Sequence, residues 1–351
     1  MTKPTLPWWH PQAFAARRPQ LEARLKATRA VRAWFEGEGF LEVETPALQV
    51  SPGLEPHLMA FATELRGPHP DDRATLYLHT SPEFTMKKLL VAGVERLFQL
   101  SHVYRNGERS ATHSPEFSML EWYRAGAGYR DLMRDCVDLT RAACRATGAA
   151  TLRRGEAVCD PFAEWEVLTV QDAFQRFAGI DLLATAPDPL RPDRELLATE
   201  VARIGIRVGE GDTWEDLFFR VSLDRIEPFL GMGRPTFLTD YPVSMAALSR
   251  PRPDDPRVAE RFELYACGVE LANAFGELTD PAVQRARFEA DMELKQALYG
   301  ERYPVDPDFL AALEHGMPDS AGIALGFDRL VMLLTGAKAI DEVLWAPVAA
   351  P

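Results

Sequence analysis

No stretch of the sequence holds about 18 consecutive apolar residues, so a membrane-spanning helix is not expected. The start, MTKPTLPWWHPQAF, lacks the basic-then-apolar pattern of a secretion signal, which leaves the cytoplasm as the default compartment. Cysteine is scarce. Cys136, Cys144, Cys159 and Cys267 make no C-x-x-C pair and no histidine stands at zinc-ligand spacing, so buried thiols are expected in place of a disulfide framework or metal site. Positive charge is in deficit: 39 Lys and Arg against 52 Asp and Glu leave a net charge of −13, which repels polyanions at long range. That argues against an RNA-wrapping protein. One local basic segment, HPQAFAARRPQLEARLKATRAVR, is either a nucleic-acid patch or the solvated face of an amphipathic helix. Neither G-x-G-x-x-G nor G-x-x-x-x-G-K-S/T occurs, so any ATP is held without those phosphate loops.

What is present is a 351-residue chain, 46% hydrophobic, with material for a sizeable core. From Pro19, apolar positions recur at Leu21, Leu25, Thr28, Val31 and Phe35, predicting a long amphipathic helix that Gly37 and Gly39 stop. Phe40 to Pro46 alternates as a strand before a proline. Strands are predicted at Thr75 to His79, Arg96 to Arg105 and Pro115 to Arg124, with a helix at MKKLLVAG between the first two. The polar loop NGERSATHS joins the last pair as an unusually long hairpin connection, the kind that often serves a ligand. Residues 148–258 show helical patterns (Val170 to Phe177, Arg194 to Ile204, Trp214 to Phe229) between proline-rich joints, and read as a mainly helical insertion into a single domain spanning 1–351. A second antiparallel strand group, FELYACGVELANAF, and GIALGFDRLVMLLTG, a strand or turn running into a helix, follow. The predicted class is α+β, mainly antiparallel sheet flanked by helices.

Five constellations carry chemistry. Arg105 ends a strand and can point at a phosphate, where a guanidinium forms two parallel charge-assisted bonds. The return strand puts Phe117, Met119, Glu121 and Tyr123 on one face; the Phe and Met alone are equally what ordinary core needs. In FELYACGVE, a turn centred on Ala266 and Cys267 sets Glu263 across from Glu270, a like-charge pair that needs a bridging cation; two carboxylates suit Mg²⁺. A different register leaves both acids solvated. Asn273, Phe275 and Glu277 share strand parity and form a pocket wall or an exposed polar edge. Gly322 and Gly326 permit close approach of a flat ligand, with Arg329 in the first turn of the next helix, although glycines there are usually just turns.

FEGEGFLEVETP, FQLSHVYRNGERSATHSPEFSMLEWYR and GIALGFDRLVMLL resemble, in order and spacing, the three signature motifs of class II aminoacyl-tRNA synthetases. SPEFTMKKLLVAG and VELANAFGELTD resemble the lysine-specific subgroup. The resemblance covers nearly the whole chain. It implies a class II catalytic core and catalysis through Arg105 and Arg329. ATP would be bound by Arg105, Asn106, Glu108, His113, Phe117, Glu270, Leu271, Gly326 and Arg329, and magnesium by Glu263 and Glu270. Ser81, Pro82, Glu83, Tyr123, Asn273, Phe275, Glu277 and Ala324 would line the amino-acid site. Two departures stand out. The family's glutamate two residues after the arginine is Gly107 here, with the acid at Glu108, and Ala324 replaces the glycine of lysyl-tRNA synthetases.

The first motif's helix begins about twenty residues in, leaving no room before it for the anticodon-binding β-barrel of those synthetases. With the negative charge and Ala324, this resembles truncated lysyl-tRNA synthetase paralogues that join (R)-β-lysine to a lysine of translation elongation factor P. The expectation is therefore activation of (R)-β-lysine or lysine as an aminoacyl-adenylate and transfer to that protein, by a homodimer. Three alternatives stay open: a stand-alone lysine–tRNA ligase-like enzyme, an idle regulatory paralogue that would have lost its phosphate and metal ligands, and an amino-acid amide synthetase.

Overall fold

The computed structural model describes residues 6–69 and 71–349; the first five residues of the amino-terminal stretch read above lie outside them. Among the described residues no helix is long and apolar enough to cross a membrane. The chain opens with helix α1 (Pro11–Gly37), short strands β1 (Leu41–Glu42) and β2 (Leu48–Gln49), and a hairpin of β3 (Phe61–Arg66) and β4 (Arg73–Leu78). Helix α2 (Glu83–Val91) leads to β5 (Arg96–Tyr104), β6 (Glu116–Ala125) and α3 (Tyr129–Thr147). Residues 148–258 supply β7 (Leu152–Arg154), β8 (Ala157–Cys159), β9 (Glu166–Thr169), α4 (Val170–Ala178), α5 (Arg194–Arg203), α6 (Trp214–Val221) and β10 (Thr236–Thr239). The remainder is β11 (Arg261–Ala266), β12 (Val269–Gly276), α7 (Pro281–Tyr299), α8 (Pro307–Gly316), β13 (Ser320–Gly326) and α9 (Phe327–Thr335).

One eight-stranded sheet, ordered β1-β5-β6-β13-β12-β11-β10-β9, organises these elements. Its end pairs are parallel and every pair between them antiparallel. This is the predicted α+β class. Side chains alternate across the sheet. Leu120 and Trp122 of β6, Ala272 and Ala274 of β12, and Ile323 and Leu325 of β13 face a core closed by α1, α3 and α9. On the opposite face α2, α7 and α8 form a second core around Phe84, Phe288 and Phe309, which covers only part of the sheet. The uncovered part is the floor of a cleft. A third core, from α4, α5 and α6, packs on Leu168, Leu238 and Tyr265 of the neighbouring strands. All four cysteines are buried and free, as their spacing predicts.

Helix α1 starts eight residues before the predicted Pro19, with the His10 side chain accepting from Gln12 N as N-cap. Pro19 removes one helical donor, but it is exposed, so water can reach the carbonyl left over and the helix continues. The buried stripe also differs from the spacing read in the sequence. It runs through Leu21, Arg24, Ala27, Val31 and Phe35, while Leu25 is exposed. Arg24 is the reason. It pairs with buried Asp328 of α9 and donates to Ser118 Oγ at 2.7 Å, so a charged position faces inward. The predicted strand from Phe40 shortens to β1, after which Gln99 Oε1 captures the Thr45 N–H at 2.9 Å and turns the chain away.

Candidate active site

The cleft has a volume of about 510 Å³. Strand register makes its floor. Met119 pairs with Gly326, Glu121 with Ala324 and Tyr123 with Gly322, and Ala324 pairs with Asn273 on its other side. Met119, Asn273, Ala324 and Gly326 therefore form one continuous floor from three strands, and Glu121, Tyr123 and Gly322 lie outside its lining. The loop between β5 and β6 rises over one end, and the N-terminus of α2 closes the other.

The first end is cationic. Arg105 stacks over the Phe117 ring, its guanidinium carbon 5.3 Å from the centroid, and its Nε is buried without a hydrogen-bond partner. A buried unpaired donor of this kind is costly unless an anion completes it. Arg329 donates to the Glu270 carbonyl at 2.9 Å and to His113 Nε2 at 2.6 Å, while His113 Nδ1 meets Ser110 Oγ at 2.7 Å. Burial first, and Arg329 second, lower the His113 pKa, which fits a neutral ring accepting from the arginine. Gly107 has φ +84°, in the left-handed region that glycine adopts without strain. The turn brings Glu108 into the cleft, its carboxylate 3.9 Å from Arg105, whereas Asn106 bridges to Met59 and is not among the lining residues.

The second end is acidic. Ser81, Pro82 and Glu83 begin α2 and line the cleft with Asn273, Phe275 and Ala324. Ser81 donates to Glu121 Oε2 at 2.9 Å and Tyr123 to Glu121 Oε1 at 2.5 Å. Burial, then the neighbouring Glu83, push the Glu121 carboxyl up to about 8. Glu277 is likewise pushed up to about 7 by burial, against the opposing pull of Lys87. Tyr123 and Glu277 do not line the cleft itself. They pack under Gly322, where an added Cβ would lie 2.2 Å from the Tyr123 ring and 2.4 Å from Glu277 Oε1. The close approach that Gly322 permits is thus to protein side chains, not to a flat ligand, whereas Gly326 does line the cleft.

The predicted facing of Glu263 and Glu270 is corrected by the register. A two-residue turn at Cys267 and Gly268, both with positive φ, pairs Ala266 with Val269 and Tyr265 with Glu270. A bulge then inserts Leu271 as an extra residue, so Glu263 pairs with Asn273. The bulge also resets parity, which lets Glu270 share the cleft face with Asn273 and Phe275. Glu263 accepts from Arg261 at 2.7 Å and from Tyr265 Oη at 2.7 Å, and Arg329 lies 3.6 Å from Glu270 Oε2. The chain's own arginines therefore offset the two acids. Glu270 is deep in the cleft yet opens to it, 41% exposed; enclosure by the protein, then Glu263, raise its pKa. Among the described residues no group of three or more His, Cys, Asp or Glu could hold a metal. Two carboxylates still meet the one-or-two that Mg²⁺ takes beside phosphate oxygens.

Of the residues singled out in the sequence, the cleft gathers Ser81, Pro82, Glu83, Arg105, Glu108, His113, Phe117, Glu270, Leu271, Asn273, Phe275, Ala324, Gly326 and Arg329. Asn106, Tyr123, Glu263 and Glu277 stand outside its lining. Two residues carried no assignment in the sequence. Glu121 was visible only as a member of the β6 face, and Lys87 follows Glu83 at the i+4 spacing that signals a helical ion pair. Glu55, Glu215 and Asp291, which come from three distant segments, add further acid to the lining; burial, then Glu55 and Glu215, push Asp291 up to about 7.

A profile of the tRNA synthetases class II (D, K and N) matches residues 14–349. An elongation factor P–(R)-β-lysine ligase of Klebsiella pneumoniae is 40% identical over 336 residues, 96% of each chain. One of Vibrio cholerae is 40% identical over 340 residues, 97% of each chain. A lysine–tRNA ligase of Dehalococcoides mccartyi is 38% identical over 326 residues, which cover 92% of this chain. The aligned stretch spans 63% of that relative's length.

Proposed function

The chain belongs to the class II tRNA synthetases of the D, K and N group, and on that premise we propose that it activates (R)-β-lysine or lysine with ATP and transfers it to a lysine amine of translation elongation factor P. The observation that carries this reading is the division of the cleft. One end presents Arg105, His113 and Arg329 to an anion; the other presents Glu83, backed by Glu121 and Glu277, to a cation. A diamino acid and a nucleotide triphosphate match those two ends.

In this mechanism the substrate carboxylate attacks the α-phosphorus of ATP. A phosphorus–oxygen bond forms as the bond to pyrophosphate breaks, leaving an aminoacyl-adenylate. Arg105, with its unpaired buried Nε, stabilises charge at the α-phosphate, and Arg329 takes the outer phosphates. His113 orients Arg329 through its ring nitrogen. Phe117, beneath Arg105, offers its ring to adenine, with Gly326 lying below the nucleotide. Magnesium would neutralise phosphate charge, held by Glu270, which opens to the cleft, with Glu263 behind it. The neutral acceptor amine then attacks the carbonyl carbon; the carbon–oxygen bond to AMP breaks as the amide forms, and the amine's proton passes to solvent. Positioning and electrostatics suffice, so no protein nucleophile is needed.

Support for a protein acceptor comes from the relatives that match along 96–97% of both chains and from a net charge of −13, which opposes tRNA. The likeness to lysine–tRNA ligases favours tRNA as a second reading. Amino-acid-dependent pyrophosphate exchange tests the activation step: exchange with lysine or β-lysine is expected, and none with any isomer defeats the proposal. The chain is also proposed to act in the cytoplasm as a homodimer joined through α1 and β1, where Leu25 and Leu41 are 40% and 56% exposed.

A further inference from the structure

Beneath the acidic end of the cleft lies a lysine that the mechanism above does not use. Lys87 stands one helical turn after Glu83 on α2 and is 1% exposed. Its ammonium contacts the Glu83 carboxylate on one side and Glu277 Oε2, at 2.5 Å, on the other. It does not line the cleft, so it acts on a ligand only through those two acids. A fully buried ammonium is tolerated only when paired, and one carboxylate would pair it. Two carboxylates on one cation leave a unit of negative charge unmatched. Glu83 carries that surplus to the cleft surface, since it lines the cavity and Glu277 does not. The other charged or titratable groups around the trio are Glu121 and Tyr123 of β6, Glu55 of the loop before β3, and Arg250 of the segment before β11.

Resting on the amino-acid assignment above, we propose that Lys87 is a positioning residue that sets the charge of the amino-acid pocket. It clamps Glu83 and Glu277 and cancels one of their two charges, leaving a single negative charge that matches one ammonium of a diamino acid. Breaking such a pair leaves two buried acids facing each other, and one of them takes a proton. Glu277, already pushed up to about 7 by burial, is the acid that does so, because Lys87 is the principal group holding its pKa down.

The test compares wild type, K87M and K87M/E277Q. In K87M, kcat/KM for the diamino acid in pyrophosphate exchange is expected to fall on the order of a hundredfold while the KM for ATP stays put. Its pH profile gains an alkaline limb, where Glu277 gives up the proton it took and the charge of the pair becomes −2. K87M/E277Q holds the site at the one negative charge of Glu83 and has no Glu277 to titrate, so it lacks that alkaline limb even though a side chain is lost. Infrared spectra of the ligand-free proteins read the same event without substrate: K87M gains a protonated-carboxyl band at neutral pH that K87M/E277Q lacks. If K87M does not fold, the double variant, which leaves one buried acid in place of two unpaired ones, carries the pH test alone, and an alkaline limb in it that wild type lacks overturns the proposal. So does a K87M whose pH limb and infrared spectrum match wild type, whatever its activity. Absence of exchange in wild type with every isomer would count against the amino-acid assignment, while the infrared comparison still decides Lys87.

Discussion

Arg105 brings a guanidinium into the cleft with one donor buried and unpaired, a state that an α-phosphate relieves. Arg105→Ala is expected to lower kcat for activation about 10²- to 10³-fold, the usual loss when one preorganised donor to a developing charge is removed. Stopped-flow or exchange rates check this, and a change confined to KM would mean the arginine only binds. At the floor, Ala324→Gly removes a methyl between Asn273 and Glu121, and discrimination between lysine and β-lysine is expected to shift by about 1–3 kcal/mol. The ratio of the two kcat/KM values measures it. Glu277 supplies a pH dependence whose sign is fixed. Its carboxyl is charged only above a pKa of about 7, so the KM for the amino acid should rise as pH falls through about 7, with the KM for ATP unchanged. A rise toward alkaline pH would contradict the role given to it. Most residues at this scale were legible as motifs because phosphate and ammonium chemistry restricts the usable side chains. Lys87 and Gly322 were not, because what they touch is other protein side chains that only the fold brings near.

Strands and helices set where those residues meet. The Glu263 and Glu270 register was misread because a hairpin turn and a bulge cannot be separated by alternation alone: Leu271 adds one residue, and every β12 residue after it changes partner. Helix α1 and three of its inward positions, Leu21, Val31 and Phe35, were foreseen, but Arg24 was not, since it stands where an apolar residue is expected and is stabilised by Asp328 from the opposite end of the chain. Asp328 also accepts the Ser118 backbone N–H at 2.8 Å, so it ties α9, α1 and β6 together. Asp328→Ala leaves the Arg24 charge buried and alone, and a loss of about 3–5 kcal/mol is expected in denaturant unfolding. A loss below about 1 kcal/mol would show that water reaches the pair.

For the molecule as a whole, an antiparallel centre with one face only partly roofed makes a cleft whose two ends carry opposite charge. The α+β class was legible from strand patterns and helix signals. The packing of α7 and α8 over the sheet was not, because their amphipathic stripes do not name the surface they cover. If α1 and β1 form the subunit contact, sedimentation should give twice the chain mass, and Leu41→Glu should reduce it to one; a wild-type monomer would remove that contact. The central claim is transfer of an activated diamino acid to a protein amine. It is tested most directly by incubating the chain with ATP, Mg²⁺, (R)-β-lysine or lysine, purified elongation factor P and, separately, tRNA, and weighing the factor by mass spectrometry. The account predicts that the factor gains the mass of one lysyl group and that tRNA stays uncharged. A factor of unchanged mass beside acylated tRNA would contradict it.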